Sequence, residues 1–240
     1  MSPAPAVSFV IPVYEEGENI TRVIEGLCGS VDLSAHEILV VYDRETDGTL
    51  PVIARVAHDY PTLRTVRNAF GGGARRALLT GFAEAKGEGA CVVMADGSDD
   101  LALLPRMIAL LGEGWDVICP SRYMPGGRQI GGPWLKGAMS RLAGLTLHRL
   151  AGLPTRDPTN NFKLYRASML RALDLEREGG FEIALEITVK AWQAGCRVTE
   201  IPATWRDRTA GHSRFRLWGW LPRYLRWYAR AFLPSRRGRA

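Results

Sequence analysis

Four apolar runs constrain the fold of this chain more than any other feature, because each ends abruptly in polar residues. "AVSFVIPVY", "HEILVVYD", "ACVVMAD" and "DVICPSRY" are dense in Val, Ile and Leu with little alternation, the pattern of strands buried on both faces. Helical patterns separate them. "NITRVIEGLC" sets Ile20, Val23, Ile24 and Leu27 at the spacing of an amphipathic helix, and "LPVIARVAHDY" and "GGGARRALLTGFAEAKG" read as two more, flanking a short strand "LRTVRN". The alternation predicts βαβ units, and so an α/β fold with a mostly parallel central sheet and helices on both faces. Farther on, "LALLPRMIALLGEG", "WLKGAMSRLAGLTLHRLAG" and "EIALEITVKAWQAG" read as helices. "MPGGRQIGGP" reads as a loop, "TRDPTNNFKLYR" as a turn and strand, and "RVTEIPATWRDR" as the last strand.

In open parallel sheets ligands bind beyond the carboxyl ends of the strands. Tyr14 and Glu16 follow the first run, Asp43 the second, and Asp96, Asp99 and Asp100 end or follow the third, so one crevice is expected to collect them. The acidic cluster is open to two readings: carboxylates capping the helix that starts near Leu101, or ligands of a hard divalent cation, Mg²⁺ or Mn²⁺, shared with substrate phosphates. The turn Gly71-Gly72-Gly73, with Arg75 and Arg76 behind it, is a weaker phosphate candidate. It matches neither a P-loop nor a GxGxxG fingerprint.

Cys28, Cys91, Cys119 and Cys196 are scattered, with no CxxC pair, which predicts reduced core thiols and a reducing compartment. "MSPAPA" runs straight into the first strand without the features of a signal peptide, and no apolar stretch approaches the ~20 residues of a membrane span. The expectation is a cytoplasmic protein, soluble or peripheral on the inner face of a membrane. The net charge of +6 is uneven: ten Arg lie between Arg206 and Ala240 against the single Asp207.

Taken in order, "FVIPVYEEGENITRVIEGL", "VVYDRETDGT", "GGGARRALLTGFAEAKGEGACVVMADGSDD", "PSRYMPGG", "DPTNNFKLYR" and "FEIALEITVKAWQAGCRVTEIPATWRDRTAGHSR" resemble the blocks of family 2 glycosyltransferases. The resemblance covers about residues 7 to 216 and is greatest to the polyprenyl (dolichyl) phosphate mannosyltransferase and glucosyltransferase branch. It implies a GT-A fold and inverting transfer of a hexose, mannose first, from a nucleotide-sugar to a polyprenyl phosphate. GDP-mannose is the first expectation for the donor, a UDP-sugar the second. By matching position, Pro12, Tyr14, Glu16 and Asp43 would surround the base and ribose, and Asp96 and Asp99 would hold metal and diphosphate. Asp99, Arg122, Arg208 and Arg214 would be catalytic, with Arg122 facing the acceptor loop and Ser213 on the nucleotide-sugar. Residues 1–214 would form the catalytic domain and 215–240 a separate basic aromatic tail.

The chain departs from the family pattern in places. "DDGSxDGT" reads "YDRETDGT", with Tyr42, Arg44 and Glu45 in place of Asp, Gly and Ser, which leaves the nucleotide open. "DADL" reads "ADGSDD", so the metal ligands are Asp96 with Asp99 or Asp99 with Asp100. Arg214 replaces a Lys, keeping the charge but changing donor geometry. A phosphate acceptor is already ionised and attacks without a base. A glycan or small-molecule hydroxyl acceptor would need a carboxylate base, for which Asp157 and Glu182 are the candidates. Each has a plainer reading, as a turn residue and as a helix first-turn charge.

The tail also carries two readings. From Arg216 on, Leu217, Leu221, Tyr224, Leu225, Tyr228 and Phe232 share one helical face and Arg223, Arg226 and Arg230 another. Trp218, Trp220 and Trp227 lie near the boundary, and Pro222 starts or kinks the helix. Such a helix suits an anionic membrane surface or a membrane partner subunit; it equally suits packing on the catalytic domain with a solvated Arg face. A nucleic-acid-binding module would use the basic aromatic tail but leaves the acidic cluster without a purpose, so no nucleic-acid partner is expected. A nonenzymatic nucleotide-binding protein is the remaining alternative.

Overall fold

The computed structural model describes residues 6–207 and 217–233, without the side chains of 217 and 218. Arg208, Ser213 and Arg214 lie outside the described residues. The first half follows the predicted alternation: β1 (Val7–Val13), α1 (Asn19–Ser30), β2 (His36–Tyr42), α2 (Thr49–Val56), β3 (Leu63–Arg67), α3 (Ala74–Glu84) and β4 (Gly89–Val92). The second half adds α4 (Leu104–Gly112), β5 (Val117–Ser121), β6 (Arg128–Ile130), α5 (Trp134–Thr146), β7 (Lys163–Arg166) and α6 (Ala167–Ala172). It ends with α7 (Ile183–Gln193), β8 (Val198–Pro202), β9 (Thr204–Arg206) and α8 (Leu217–Arg230).

Seven strands form one sheet in the order β3-β2-β1-β4-β7-β5-β8. Only β7 runs antiparallel to its neighbours β4 and β5. Successive side chains of β1 point to opposite faces. Phe9 and Ile11 meet α1, α2 and α4 in one apolar cluster, while Val10 meets α3, α6 and α7 in the other. Helix α3 lies so close to β1 that a Cβ on Gly81 would sit 2.2 Å from Val10 Cγ1.

Four local features differ from the expectation. The Gly- and Pro-rich stretch after β5 contains β6, and the last strand is two. Pro202 has no N–H to continue a ladder, and beyond it the chain leaves the main sheet so that β9 pairs with β6 in parallel. Helix α6 follows β7 directly, and α5 ends in a π-helical turn, Leu147–Ala151. The new two-stranded sheet swings Trp205 and Arg206 toward the end of β4, where the Arg206 N–H donates to the Ser98 carbonyl at 3.3 Å.

The packed reading of the tail describes one side of α8. Trp227 and Ala231 are buried with Leu147, Leu153, Leu185 and Val189, so Trp227 is the centre of the contact rather than its boundary. Trp220 stacks on Phe181 with ring centroids 5.7 Å apart and covers the bare backbone of Gly180. Arg226 and Arg230 pair with Glu176. Pro222 is accommodated inside the helix.

An Ala in an unhindered helix interior gains about 1 kcal/mol over Gly. At position 81 the sign is expected to reverse, because the added methyl overpacks the helix–sheet contact. Gly81→Ala should lose about 1–2 kcal/mol in urea unfolding.

Candidate active site

The strand order reverses between β1 and β4, and the first turn of α1 and the polar segment after β4 line a crevice there, as expected of open α/β sheets. Two adjoining cavities, of about 310 and 230 Å³, share Gly97, Asp99, Leu101 and Arg206. Asp100 and Thr204 line the first; Asn19, Arg22 and Asp96 line the second. Asp96, Asp99 and Asp100 therefore sit in one cleft with Arg22, Arg206 and a further acid, Asp207.

The geometry decides against capping. Asp99 Oδ2 turns back to accept the Met94 N–H at 2.7 Å, and Asp100 Oδ2 accepts the Thr204 N–H at 3.2 Å, tying β9 to the acidic loop. Asp100 makes no side-chain bond to the turn that follows it. Asp96 Oδ1 accepts the Ser98 N–H at 3.1 Å across Gly97, whose φ of 71° closes the turn. Lost solvation pushes the Asp99 carboxyl up to about 8; the Met94 N–H opposes this, Asp96 adds to it, and Arg122 counters from farther off. A carboxylate held at such cost is the kind that a cation stabilises. Among the described residues no group of three or more His, Cys, Asp or Glu side chains is arranged to hold a metal alone. The donor set fits a Mg²⁺- or Mn²⁺-type ion that takes Asp96 and Asp99 and completes its shell with phosphate and water.

On the β1–β2 side, Asp43 Oδ1 accepts from Asn68 Nδ2 and Oδ2 from the Gly73 N–H, both at 2.8 Å. Asp43 thus folds the Gly71–Gly73 turn onto the end of β2. Behind that turn Arg75 is fully buried between Glu182 and Glu186, at 3.3 and 2.5 Å, which removes it as a phosphate ligand, and Arg76 pairs with Glu178 at the surface. Exposed Tyr14 carries the Arg44 guanidinium 4.8 Å above its ring. Pro12 sits near the end of β1, half-buried. The Glu16 N–H donates to Thr49 Oγ1 at 3.0 Å, and Glu15 holds a left-handed φ of 54°, so the loop after β1 is pinned to the start of α2.

Neither candidate base is placed to act. Asp157 is fully buried and grips Arg122 through Nε at 2.6 Å, Nη2 at 2.8 Å and the backbone N–H at 3.0 Å. Glu182 is buried on Arg75 and the Gly180 N–H. The loop that carries Asp157 is itself held by buried Lys163, whose ammonium donates to the carbonyls of Asp157, Pro158 and Asn160. Arg122 in turn lies 4.8 Å from the Tyr123 ring centroid and 6.0 Å from that of Trp205, and reaches Ser140 of α5 at 3.4 Å. Sequence reasoning missed Arg22 and Arg206 as lining residues. Arg22 follows the buried Ile20 in the first turn of α1, and its helical position signalled only an outward face. Arg206 enters the cleft only because β9 leaves the main sheet.

Asp157→Ala strands the Arg122 charge, and a loss of about 3–5 kcal/mol is expected in chemical unfolding. The Asp99 shift predicts a pH effect. The folded protein without metal holds this proton up to about pH 8, whereas the unfolded chain releases it near 3.8. The native state therefore binds more protons between these values, and stability falls as pH rises through them. Urea titrations at pH 5 and pH 9 should show a larger loss for wild type than for Asp99→Asn.

Residues 8–174 match the Glycosyl transferase family 2 model. An undecaprenyl-phosphate mannosyltransferase of Micrococcus luteus is 30% identical over 85% of this chain and 85% of its own. A polyprenol monophosphomannose synthase of Mycolicibacterium smegmatis is 29% identical over 88% and 82%. A dolichol-phosphate mannosyltransferase of Pyrococcus furiosus is 29% identical over 88% of this chain, which spans 59% of that longer protein. Among solved structures, glucosyl-3-phosphoglycerate synthase from Mycobacterium tuberculosis, in complex with Mn²⁺, UDP and glucosyl-3-phosphoglycerate, superposes with a TM-score of 0.71 at 16% identity, covering 97% of this chain and 82% of that one. A mannosyltransferase from Pyrobaculum calidifontis, in complex with GDP-mannose and Mn²⁺, gives 0.65 at 18% identity over 88% and 59%. The fold is GT-A, and the chain belongs to glycosyl transferase family 2.

Proposed function

We propose that this glycosyltransferase moves a hexose, mannose first, from a nucleotide-sugar to a polyprenyl phosphate with inversion, and that GDP-mannose precedes any UDP-sugar as donor. The carrying observation is that both carboxylates in line to serve as general base are buried in ion pairs, Asp157 on Arg122 and Glu182 on Arg75. A hydroxyl acceptor needs such a base, whereas a phosphate monoester arrives ionised. The names of the 29–30% identical relatives point the same way.

In this reading Asp96 and Asp99 hold a divalent cation on the donor diphosphate. When bound, the cation supplies charge neutralisation to the departing nucleotide diphosphate. Arg22 and Arg206 supply further positive charge from the cleft wall, and Arg208, Ser213 and Arg214, outside the described residues, keep the roles in leaving-group and donor binding that the family resemblance implies. Tyr14 and Arg44, with Pro12, Glu16 and Asp43 beside them, receive the nucleoside. Arg122, oriented by Asp157, faces the acceptor phosphate. Residues 1–214 act as the catalytic domain and 215–240 as an appendage serving a membrane surface or a membrane partner. No described helix is long and apolar enough to cross a membrane, and the chain works as a peripheral protein on the cytoplasmic face. Membership of the family replaces the readings as a nucleic-acid-binding module and as a nonenzymatic protein.

The test is a thermal-shift panel of GDP-mannose, UDP-glucose and UDP-N-acetylglucosamine with Mg²⁺, Mn²⁺ or EDTA, followed by transfer to a polyprenyl phosphate read by mass spectrometry. Donor at about 100 times its dissociation constant should add roughly 2.7 kcal/mol, only with metal and not in Asp96→Ala/Asp99→Ala. Transfer to a soluble glycan hydroxyl in preference to the lipid phosphate would overturn the acceptor.

A further inference from the structure

Helix α5 breaks the rule that a helix on the outside of a domain turns its apolar side inward. Of its thirteen residues only Gly144 is buried. Trp134 is 80% exposed, Leu142 66%, and Leu150 in the turn beyond it 71%. Leu135, Ala138 and Leu142, all exposed, recur at three- and four-residue spacing along the outer side, where a solvated helix carries polar residues.

The same patch continues onto α8. The Tyr228 hydroxyl donates to Thr146 Oγ1 at 2.9 Å, and the two helices share an apolar cluster through Leu147 and Trp227. Leu142 and Leu150 lie four residues either side of Thr146. Exposed Leu225 and Phe232 lie three and four residues either side of Tyr228. The outward apolar groups of both helices thus surround one interhelical bond.

The two helices themselves carry charge of one sign, and Glu176, from outside them, is paired with Arg226 and Arg230. Neither 134–151 nor 217–233 contains an Asp or Glu, and Lys136, Arg141, Arg149 and Arg223 are exposed. Exposed Trp and Leu flanked by Lys and Arg, on helices with no carboxylate of their own, match the chemistry of an anionic headgroup layer over acyl chains. The opposite side of α5 touches the site: Ser140 bonds Arg122 at 3.4 Å and Thr159 at 2.6 Å.

We infer that α5, its terminal turn and the outer side of α8 form one face that docks on a bilayer containing anionic lipid, which leaves Arg122 one helix thickness, about 10 Å, from the membrane. The inference rests on the lipid-phosphate acceptor of the proposed function, and it goes further in making α5 the principal contact, with the tail as its margin.

Sedimentation of the full chain with phosphatidylcholine vesicles, with and without phosphatidylglycerol, tests it. Wild type should pellet with the anionic vesicles, and high salt should weaken this. Leu135→Glu/Leu142→Glu should cut partitioning at least tenfold, and Arg149→Glu/Arg223→Glu by roughly fivefold or more per cation removed, on anionic vesicles only. Both variants should keep wild-type melting temperatures. They should also keep wild-type activity on a short-chain prenyl phosphate dispersed in water, while activity on vesicle-embedded acceptor falls with binding. Wild type remaining in the supernatant, or the Leu variant pelleting as wild type does, would overturn the inference. So would a wild-type dimer that the Leu variant converts to monomer, since a second copy would then cover the face. Absence of transfer to the short-chain acceptor by wild type would instead sink the functional reading, with the sedimentation result still standing.

Discussion

The bidentate grip of buried Asp157 on Arg122 joins three parts of the molecule around one charge, and the Ser140–Thr159 and Asn160–Pro120 bonds reinforce it. Arg122 leaves the end of β5, Asp157 sits on the loop before β7, and the outer guanidinium nitrogen reaches α5. An ion pair in this setting is worthwhile only when its geometry is near ideal and its remaining polar atoms are satisfied. Both conditions hold, because the Arg122 backbone N–H and Thr159 also bond the carboxylate. Lys163 then fixes the loop by donating to three of its carbonyls. A positive charge is thereby held near Asp99, whose own carboxyl it helps to keep ionisable.

The sheet was legible because apolar runs of this density have few other destinations, and the placing of Asp96 to Asp100 beyond the carboxyl end of central β4 followed from the rule for strand ends. Much of what lies beyond was not. Nothing local marks Arg128–Ile130 as a strand: it exists because Pro202 ends one ladder and the chain beyond needs another partner. Asp157 read as a turn residue with a second possibility as base, and its actual partner is 35 residues away. Asp43 read as a nucleotide contact, yet both of its oxygens fold the glycine turn. That arrangement is compatible with a nucleoside lying over the turn, and it also explains why three consecutive glycines stand there without a phosphate fingerprint. The tail pattern predicted an amphipathic helix, but in its packed reading the hydrophobic face drawn from spacing put Leu225 and Phe232 on the inside, where the structure has Trp227 and Ala231.

Helix α8 shows why both readings of the tail had substance. A helix with aromatic residues around most of its circumference satisfies one partner and still presents apolar groups to another. Trp220 and Trp227 are spent on Gly180 and α7, and Arg226 and Arg230 on Glu176. Arg223, Leu225, Phe232 and Leu233 remain outward.

Gly144 links these themes. It is the buried residue of α5, and a Cβ there would stand 2.0 Å from the carbonyl oxygen of Arg156, the residue before Asp157. The helix therefore rests directly on backbone, with no side chain as a spacer. Any larger residue would lift α5 away from the loop, stretch the Ser140 contact to Arg122 and change how far the reacting phosphate must rise from its surroundings. The depth of the active centre is set by a missing methyl group, which couples the evolution of a surface helix to the chemistry beneath it.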